Sequence, residues 1–259
     1  DRHIAREQAT LGPTLEGDQL NVFQDIRQGY ENGHTEGFIV LPTGVGKTVE
    51  FVELAEAFDC KTLVVVPTQD LVDQTVDEFK AFATGLSVGT YWQGSKDLTG
   101  QVTVTTYNSL LNMLRSGRLD PSTIDLLILD EAHKALGKEY AKAVAQFGAA
   151  LKLGVTATDA FSEEKKLQHL LKNEFHRMGI REAIERSLLC DTACAIVKTN
   201  IDLSDVPIVD GKYDPEKLEA KYNTSALNQA AVDLYRTEHL GERAMAFCTG
   251  VTHAWSLAK

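Results

Sequence analysis

Between residues 38 and 171, short runs of β-branched and aliphatic residues alternate five times with longer segments of helical period. The pairs are FIVLP then KTVEFVELAEAF, TLVVVP then LVDQTVDEFKAFA, VTVTTY then SLLNMLRS, IDLLILD then KEYAKAVAQF, and LKLGVTAT then SEEKKLQHLL. Repeated strand–helix alternation leaves few arrangements open, and the expected one is an α/β fold: a mostly parallel sheet with helices on both faces. LVVV and LLIL are apolar without a polar alternate, as strands covered on both sides should be. Sheets of this kind bind ligands beyond the carboxyl ends of their strands. The chemistry should therefore sit in the residues that follow each apolar run.

Outside these pairs, DQLNVFQDIRQGYENG reads as a helix closed by Asn32 and Gly33. After residue 172 the pattern changes: EFHRMG reads as a strand, GIREAIERSLL as a helix and ACAIVKTNIDL as another strand. SDVPIVDGKYDPEK reads as an irregular connection. A helix around Ala226 to Tyr235, a strand at RAMAFCT and a helix from Thr252 follow. The expected division is a first domain over residues 1–190 and the beginning of a second over 191–259, too short to complete another α/β unit of the first one's size.

With 259 residues, 43% hydrophobic and 24% charged, the chain can bury a sizeable core. No run approaches the length needed to cross a bilayer, and DRHIAREQAT lacks the apolar segment of a secretory signal, so the expectation is an intracellular, cytoplasmic or nucleoid-associated protein with no membrane partner. The four cysteines, Cys60, Cys190, Cys194 and Cys248, read as reduced and mostly buried thiols. The net charge is −11, and it is unevenly spread. Residues 1–160 hold 13 basic against 22 acidic side chains, a net of −9, and residues 161–259 hold 13 against 15, a net of −2. A broad basic face is excluded, so any nucleic acid must lie in a confined groove lined by amides, hydroxyls and a few cations.

Two motifs carry chemistry. Between FIVL and TVEFVELAEAF lies Pro42-Thr43-Gly44-Val45-Gly46-Lys47-Thr48, in the strand–loop–helix setting of a phosphate-binding loop. Its glycines let backbone amides close on phosphates, the helix N-terminus adds its positive end, Lys47 reaches the β/γ oxygens and the Thr48 hydroxyl suits Mg²⁺. Leu41 stands where the generic loop has its first glycine. A plain glycine turn with a surface lysine is the rival reading. Further on, LLIL ends in Asp130-Glu131-Ala132-His133. Asp130 could hold Mg²⁺ through its water shell and Glu131 could orient and deprotonate an attacking water. A charge cluster complementing a helix N-terminus is the alternative.

In this order the two motifs resemble those of superfamily 2 DEAD/DEAH-box helicases, of the restriction-enzyme and excision-repair type. PTGVGKT is similar to motif I, whose form in that superfamily often lacks the first glycine, and DEAH to motif II. VVPTQDLVDQ resembles motif Ia, TVTTYNSL motif Ib, GVTAT motif III, and RAMAFCTGVTHAWSLAK motif IV. REAIERSLL resembles a helix near the linker of the DNA-acting branches. Asp159 follows Thr156-Ala157-Thr158 where many relatives carry proline.

The resemblance implies a RecA-like P-loop sheet followed by an incomplete second RecA-like domain, with ATP and Mg²⁺ as cofactors. It assigns ATP binding to Gln19 and to Thr43, Gly44, Val45, Gly46, Lys47 and Thr48, metal binding to Thr48 and Asp130, and catalysis to Lys47, Asp130 and Glu131. Strand contacts fall to Thr68, Gln69, Thr105 and Thr106, short neutral side chains suited to gripping phosphate and ribose without reading bases. His133, Thr156 and Thr158 would couple the two sites. Trp92, beside Tyr91, and Trp255 are either base-stacking platforms or core residues.

The implied activity is that of an ATP-dependent helicase or translocase acting on DNA rather than RNA, with a nuclease or other accessory domain as a possible neighbour. An ATP-gated binding switch without translocation, or a P-loop kinase, are the rivals. The family's arginine fingers belong to motif VI, beyond motif IV, and such a finger is worth about 10³ to 10⁵ in rate. The 259 residues alone are thus expected to bind ATP and turn it over slowly.

Overall fold

The computed structural model describes residues 17–259 apart from 84, 93, 159, 163–164, 193–197 and 210. They fall into two compact units, residues 1–191 and 192–259, each treated by itself.

In the first unit, helix α1 (Asp18–Glu31) precedes strand β1 (Glu36–Val40), and α2 (Lys47–Phe58), β2 (Thr62–Val66), α3 (Gln69–Phe82), β3 (Val88–Trp92) and β4 (Ser95–Lys96) follow. Next come β5 (Val102–Thr106), α4 (Tyr107–Arg115), β6 (Leu126–Asp130), α5 (Lys138–Ala145), β7 (Leu151–Thr156), a small hairpin of β8 (Ala160–Ser162) and β9 (Lys165–Lys166), then β10 (Asn173–Arg177) and α6 (Ile180–Glu185). Eight strands form one sheet in the order β10-β1-β7-β6-β2-β5-β3-β4. Every neighbouring pair is parallel except β3 with β4. The mostly parallel sheet expected from the alternation is present.

The apolar strands are divided between two cores. Ile39, Val64, Val66, Val104, Ile128 and Val155 face one side, packed with Phe23, Ile26, Phe51 and Phe79 from α1, α2 and α3. Phe38, Val40, Leu63, Val65, Leu127 and Leu129 face the other, packed with Leu110, Met113 and Val144 from α4 and α5. Successive side chains of a strand point to opposite faces, so only a strand apolar at every position feeds both cores. Small residues matter at one edge: a Cβ on Gly29 or Gly37 would lie 2.4 or 2.3 Å from the Phe175 ring of β10.

Register aligns the strand ends. Val40 lies beside Thr156, Val155 beside Asp130, and Val66 beside Thr106. The segments after β1, β2, β5, β6 and β7 therefore leave the sheet along one edge.

Several local expectations are corrected. SEEKKLQHLL is not a helix: its described part holds β9 and one 3-10 turn, Leu167–His169. Among the described residues of its second half, 166–171, Leu167 and Leu171 are fully buried, so packing anchors two points rather than a helical stripe. GIREAIERSLL forms only the short α6, after which Ser187 turns into a left-handed conformation at φ 61°. Strand β3 was not anticipated, its run being broken by Gly89. Cys190 is exposed, Cys60 and Cys248 half-buried, and Cys194 lies outside the described residues.

In the second unit, part of ACAIVKTNIDL lies outside the described residues, and 198–203 carry no regular structure. The stretch read as an irregular connection holds a short hairpin, β11 (Ile208–Val209) with β12 (Lys212–Tyr213), and α7 (Pro215–Tyr222). Asp214 caps α7 by accepting from the Lys217 amide at 2.9 Å, with proline at the first turn. Helices α8 (Ser225–Glu238) and α9 (Val251–Leu257) follow. RAMAFCT is not a strand, and Met245 and Phe247 are 81% and 92% exposed. No described strand lies beside it to satisfy its backbone.

Candidate nucleotide site and adjoining groove

The loop from β1 to α2 is shaped by Gly44 and Gly46, at φ 95° and 86°. That left-handed region is open to glycine at little cost. Leu41 holds the loop to the neighbouring strand, its amide donating to the Thr156 carbonyl at 2.9 Å. A Cβ on Gly46 would come within 2.7 Å of Gln19 Nε2, so the α1 glutamine lies against the loop.

Lys47 begins α2 and is nearly buried, and its ammonium donates to Glu131 Oε1 at 3.0 Å. Two residues 84 apart in sequence thus meet across the strand ends. Glu131 sits at φ 46°, a conformation costing a non-glycine residue roughly 1–2 kcal/mol. Its other oxygen lies 3.3 Å from His133 Nδ1. His133 Nδ1 is also 3.0 Å from Thr156 Oγ1. The Thr156 hydroxyl donates to the Thr158 carbonyl at 2.8 Å and accepts from the Thr158 amide at 3.1 Å. Since its one hydrogen is so used, Nδ1 is the donor to Thr156. Acid, histidine and the two threonines form one connected set.

Electrostatics follow from burial. Asp130 is pushed up to about 6 by burial and then by the Glu131 charge, with Lys47 pulling it back. Burial lowers His133, which favours its neutral form. Glu50, in the first turns of α2, is pushed up to about 9 by burial and by Glu53.

A cavity of about 230 Å³ lies beside the loop, with Val22, Leu41, Val45 and Met178 as apolar walls and Gln19 and Glu50 as polar ones. The residues fit a nucleoside triphosphate on two observations. The loop turns on two left-handed glycines, Gly44 and Gly46, which leaves its backbone amides free of side-chain bulk, and Glu50 Oε2 is a buried oxygen without a partner among the described residues.

A second recess, about 500 Å³, opens past the ends of β2 and β5. Thr68, Gln69, Thr106, Asn108, Ser109 and Asn112 give it neutral hydrogen-bonding groups, and among the described residues its only charged lining residues are the cations Lys96 and Arg118. Thr106 is already engaged, accepting from the Ser109 amide at 3.2 Å and donating to the Ser109 hydroxyl at 3.0 Å. Thr105 is not part of the recess. It is fully buried, and its hydroxyl donates to the Tyr91 carbonyl at 2.6 Å. Trp92 borders the recess while packing on the first core, whereas Trp255 is 68% exposed in the second unit. Tyr107 joins the two places: it follows Thr106, and its hydroxyl donates to the Asp130 carbonyl at 3.0 Å.

Of the sequence-expected residues, the structure brings together Gln19 with the glycine loop, Lys47 with Glu131, and His133 with Thr156 and Thr158. Thr68, Gln69 and Thr106 line the recess. Glu50, Lys96, Arg118 and Tyr107 were not anticipated, since each reads as an ordinary helix, turn or core residue until its neighbours are known.

A glycine loop after β1 and an acid pair at the end of β6, with β7 between them in a parallel sheet, define a P-loop nucleotide-binding protein of RecA-like architecture. Residues 13–161 match the family described as the Type III restriction enzyme, res subunit, and the chain belongs to that family, with a superfamily 2 helicase core. A relative in Saccharomyces cerevisiae, IRC3, is 25% identical over 95% of this chain and 39% of its own length. The DNA 3'-5' translocase XPB2 of Sulfurisphaera tokodaii is 36% identical over 47% of this chain and 27% of its own. The chain thus spans well under half of these relatives. Among solved structures, the Pyrococcus furiosus Hef helicase domain shares the fold at a TM-score of 0.57 and 21% identity, over 93% of this chain and 50% of that one. No helix of the described residues is long and apolar enough to cross a membrane.

Proposed function

We propose that the chain is the ATP-binding part of a motor that moves on nucleic acid, with DNA as the strand. The single observation that carries the nucleotide half of this reading is the 3.0 Å pair between Lys47 and Glu131 at the mouth of the glycine loop. Bound Mg²⁺-ATP would supply the labile γ-phosphoryl group. Thr48 and Asp130 are the protein groups suited to hold the metal, largely through its water shell. Lys47 would offset phosphate charge, and Glu131 would orient a water and take its proton. Gln19 would lie against the base.

The recess supports the nucleic-acid half. Its neutral donors and acceptors with two cations suit a phosphate backbone, which can be gripped without base readout and released again. A protein with a net charge of −11 would confine a polyanion to such a strip. His133, Thr156 and Thr158 on one side, and Tyr107 on the other, would carry changes between the sites. DNA is favoured by the REAIERSLL segment and by the XPB2 relative, whose name states DNA translocation. The second unit would begin a second RecA-like domain, with a nuclease or other accessory domain as its neighbour and an intracellular setting.

The test is the ATPase rate of the intact protein with and without single- and double-stranded DNA and RNA. Stimulation by DNA is the expected result, and an unstimulated rate sinks the motor reading. An ATP-gated switch is separated by Glu131→Gln, which should abolish a motor and spare a switch, whereas Lys47→Ala should disable both.

A further inference from the structure

Resting on the ATP reading of the loop, we propose that Glu50 is a specificity-determining residue that accepts a hydrogen bond from the 6-amino group of adenine, beside Gln19.

The cavity next to the loop has walls that are mostly apolar, so its few polar side chains must fix the orientation of whatever enters. Asp18 at its border is held by the Arg186 guanidinium. Among the described residues, Gln19 and Glu50 are the other polar side chains lining it. Glu50 is only 1% exposed, and its Oε2 has no hydrogen-bond partner among the described residues. A buried acceptor left unsatisfied is costly, and such groups in native structures ask for a reason. Its position supplies one. Glu50 stands three residues after Lys47, about one helical turn, so its backbone is set by the same loop that would hold the phosphates. The base and phosphate positions are thereby fixed to one rigid element.

The chemistry of the base matches. The 6-amino group of adenine carries two hydrogens, and two residues lining the cavity carry acceptor oxygens, the Gln19 amide and the Glu50 carboxyl. A carboxyl group presents an accepting oxygen whether or not it carries a proton, so the assignment does not depend on its charge. Leucine would remove the acceptor and keep bulk. Glutamine would keep an accepting oxygen.

The experiment is equilibrium binding to the purified chain, by displacement of a fluorescent ATP analogue, with ATP and with purine riboside triphosphate, which has hydrogen in place of the 6-amino group. Wild type should bind ATP about tenfold more tightly than the 6-hydrogen analogue. Glu50→Leu should shrink that ratio to about threefold or less, by weakening ATP and leaving the analogue nearly unchanged, and Glu50→Gln should keep the wild-type ratio. An unchanged ratio in Glu50→Leu, or a wild-type ratio near one, overturns the assignment while leaving the ATP site standing. Failure of the wild-type chain to bind either nucleotide overturns the ATP reading and this assignment with it.

Discussion

The loop edge and the neighbouring recess are built in opposite ways. At the loop, a few ionisable groups are half or fully buried: Lys47 is paired with Glu131, Asp130 is shifted upward, Glu131 sits in a left-handed conformation and Glu50 Oε2 has no partner among the described residues. In the recess, Thr68, Gln69, Asn108 and Asn112 are exposed and neutral, and the cations are two. The difference teaches how one sheet can serve two ligands. A site that holds one small anion for chemistry concentrates charge and tolerates strain. A site that must let go spreads its hold over many weak contacts.

The largest expected effect tests the concentrated end. Glu131→Gln should leave ATP affinity nearly intact and lower kcat by about 10² to 10⁴, read from steady-state rates in the intact protein and from nucleotide binding. If kcat hardly moves, Glu131 is a structural partner of Lys47 and nothing more. Next in size, Lys47→Ala should weaken ATP binding by about 100-fold, measurable by titration, and retention of tight binding would remove Lys47 from the phosphate site.

Stability offers a third way to sharpen the contrast. Glu50 has a folded pKa of about 9, above that of an unfolded glutamate at about 4.3, so the folded state binds more protons across that window. Its contribution to stability is greatest below the lower value and falls as pH rises toward the upper one. Glu50→Leu should therefore raise the thermal midpoint at pH 8, by on the order of 2 kcal/mol of stability, and raise it less at pH 5. Equal effects at both pH values would show that burial and not ionisation sets the penalty. A residue that costs stability where it stands is what a binding site tolerates and a core does not.

The smallest effects belong to the recess. Arg118→Ala or Lys96→Ala should each weaken DNA binding severalfold and flatten the salt dependence by about one unit of slope, and Asn112→Ala should weaken it by a few-fold without changing the slope. A single recess substitution that abolished binding would break the contrast.

Much of the fold was legible because its signals are local. The loop and the acid pair were readable for the same reason: each is a run of consecutive residues placed at the end of an apolar strand. Signals that depend on a partner were not. RAMAFCT has strand-forming residues, yet no described strand lies beside it, and the apolar positions of SEEKKLQHLL bury two leucines without building a helix. The helix at Pro215 was missed although Asp214-Pro215 is a recognisable start, because the proline and glycine around it read as a loop.

Within the site the same division holds. Sequence by itself determined that Lys47 and Thr48 open a helix behind a glycine loop and that Asp130 and Glu131 end a buried strand, since short-range geometry follows from the residues themselves. Only the tertiary structure decided that Lys47 meets Glu131, that Thr105 turns inward while Thr106 borders the recess, that Tyr107 reaches the Asp130 carbonyl, and that Glu50 is buried at a cavity wall. Those outcomes depend on strand order and on one-residue register, which bring distant segments to a common edge.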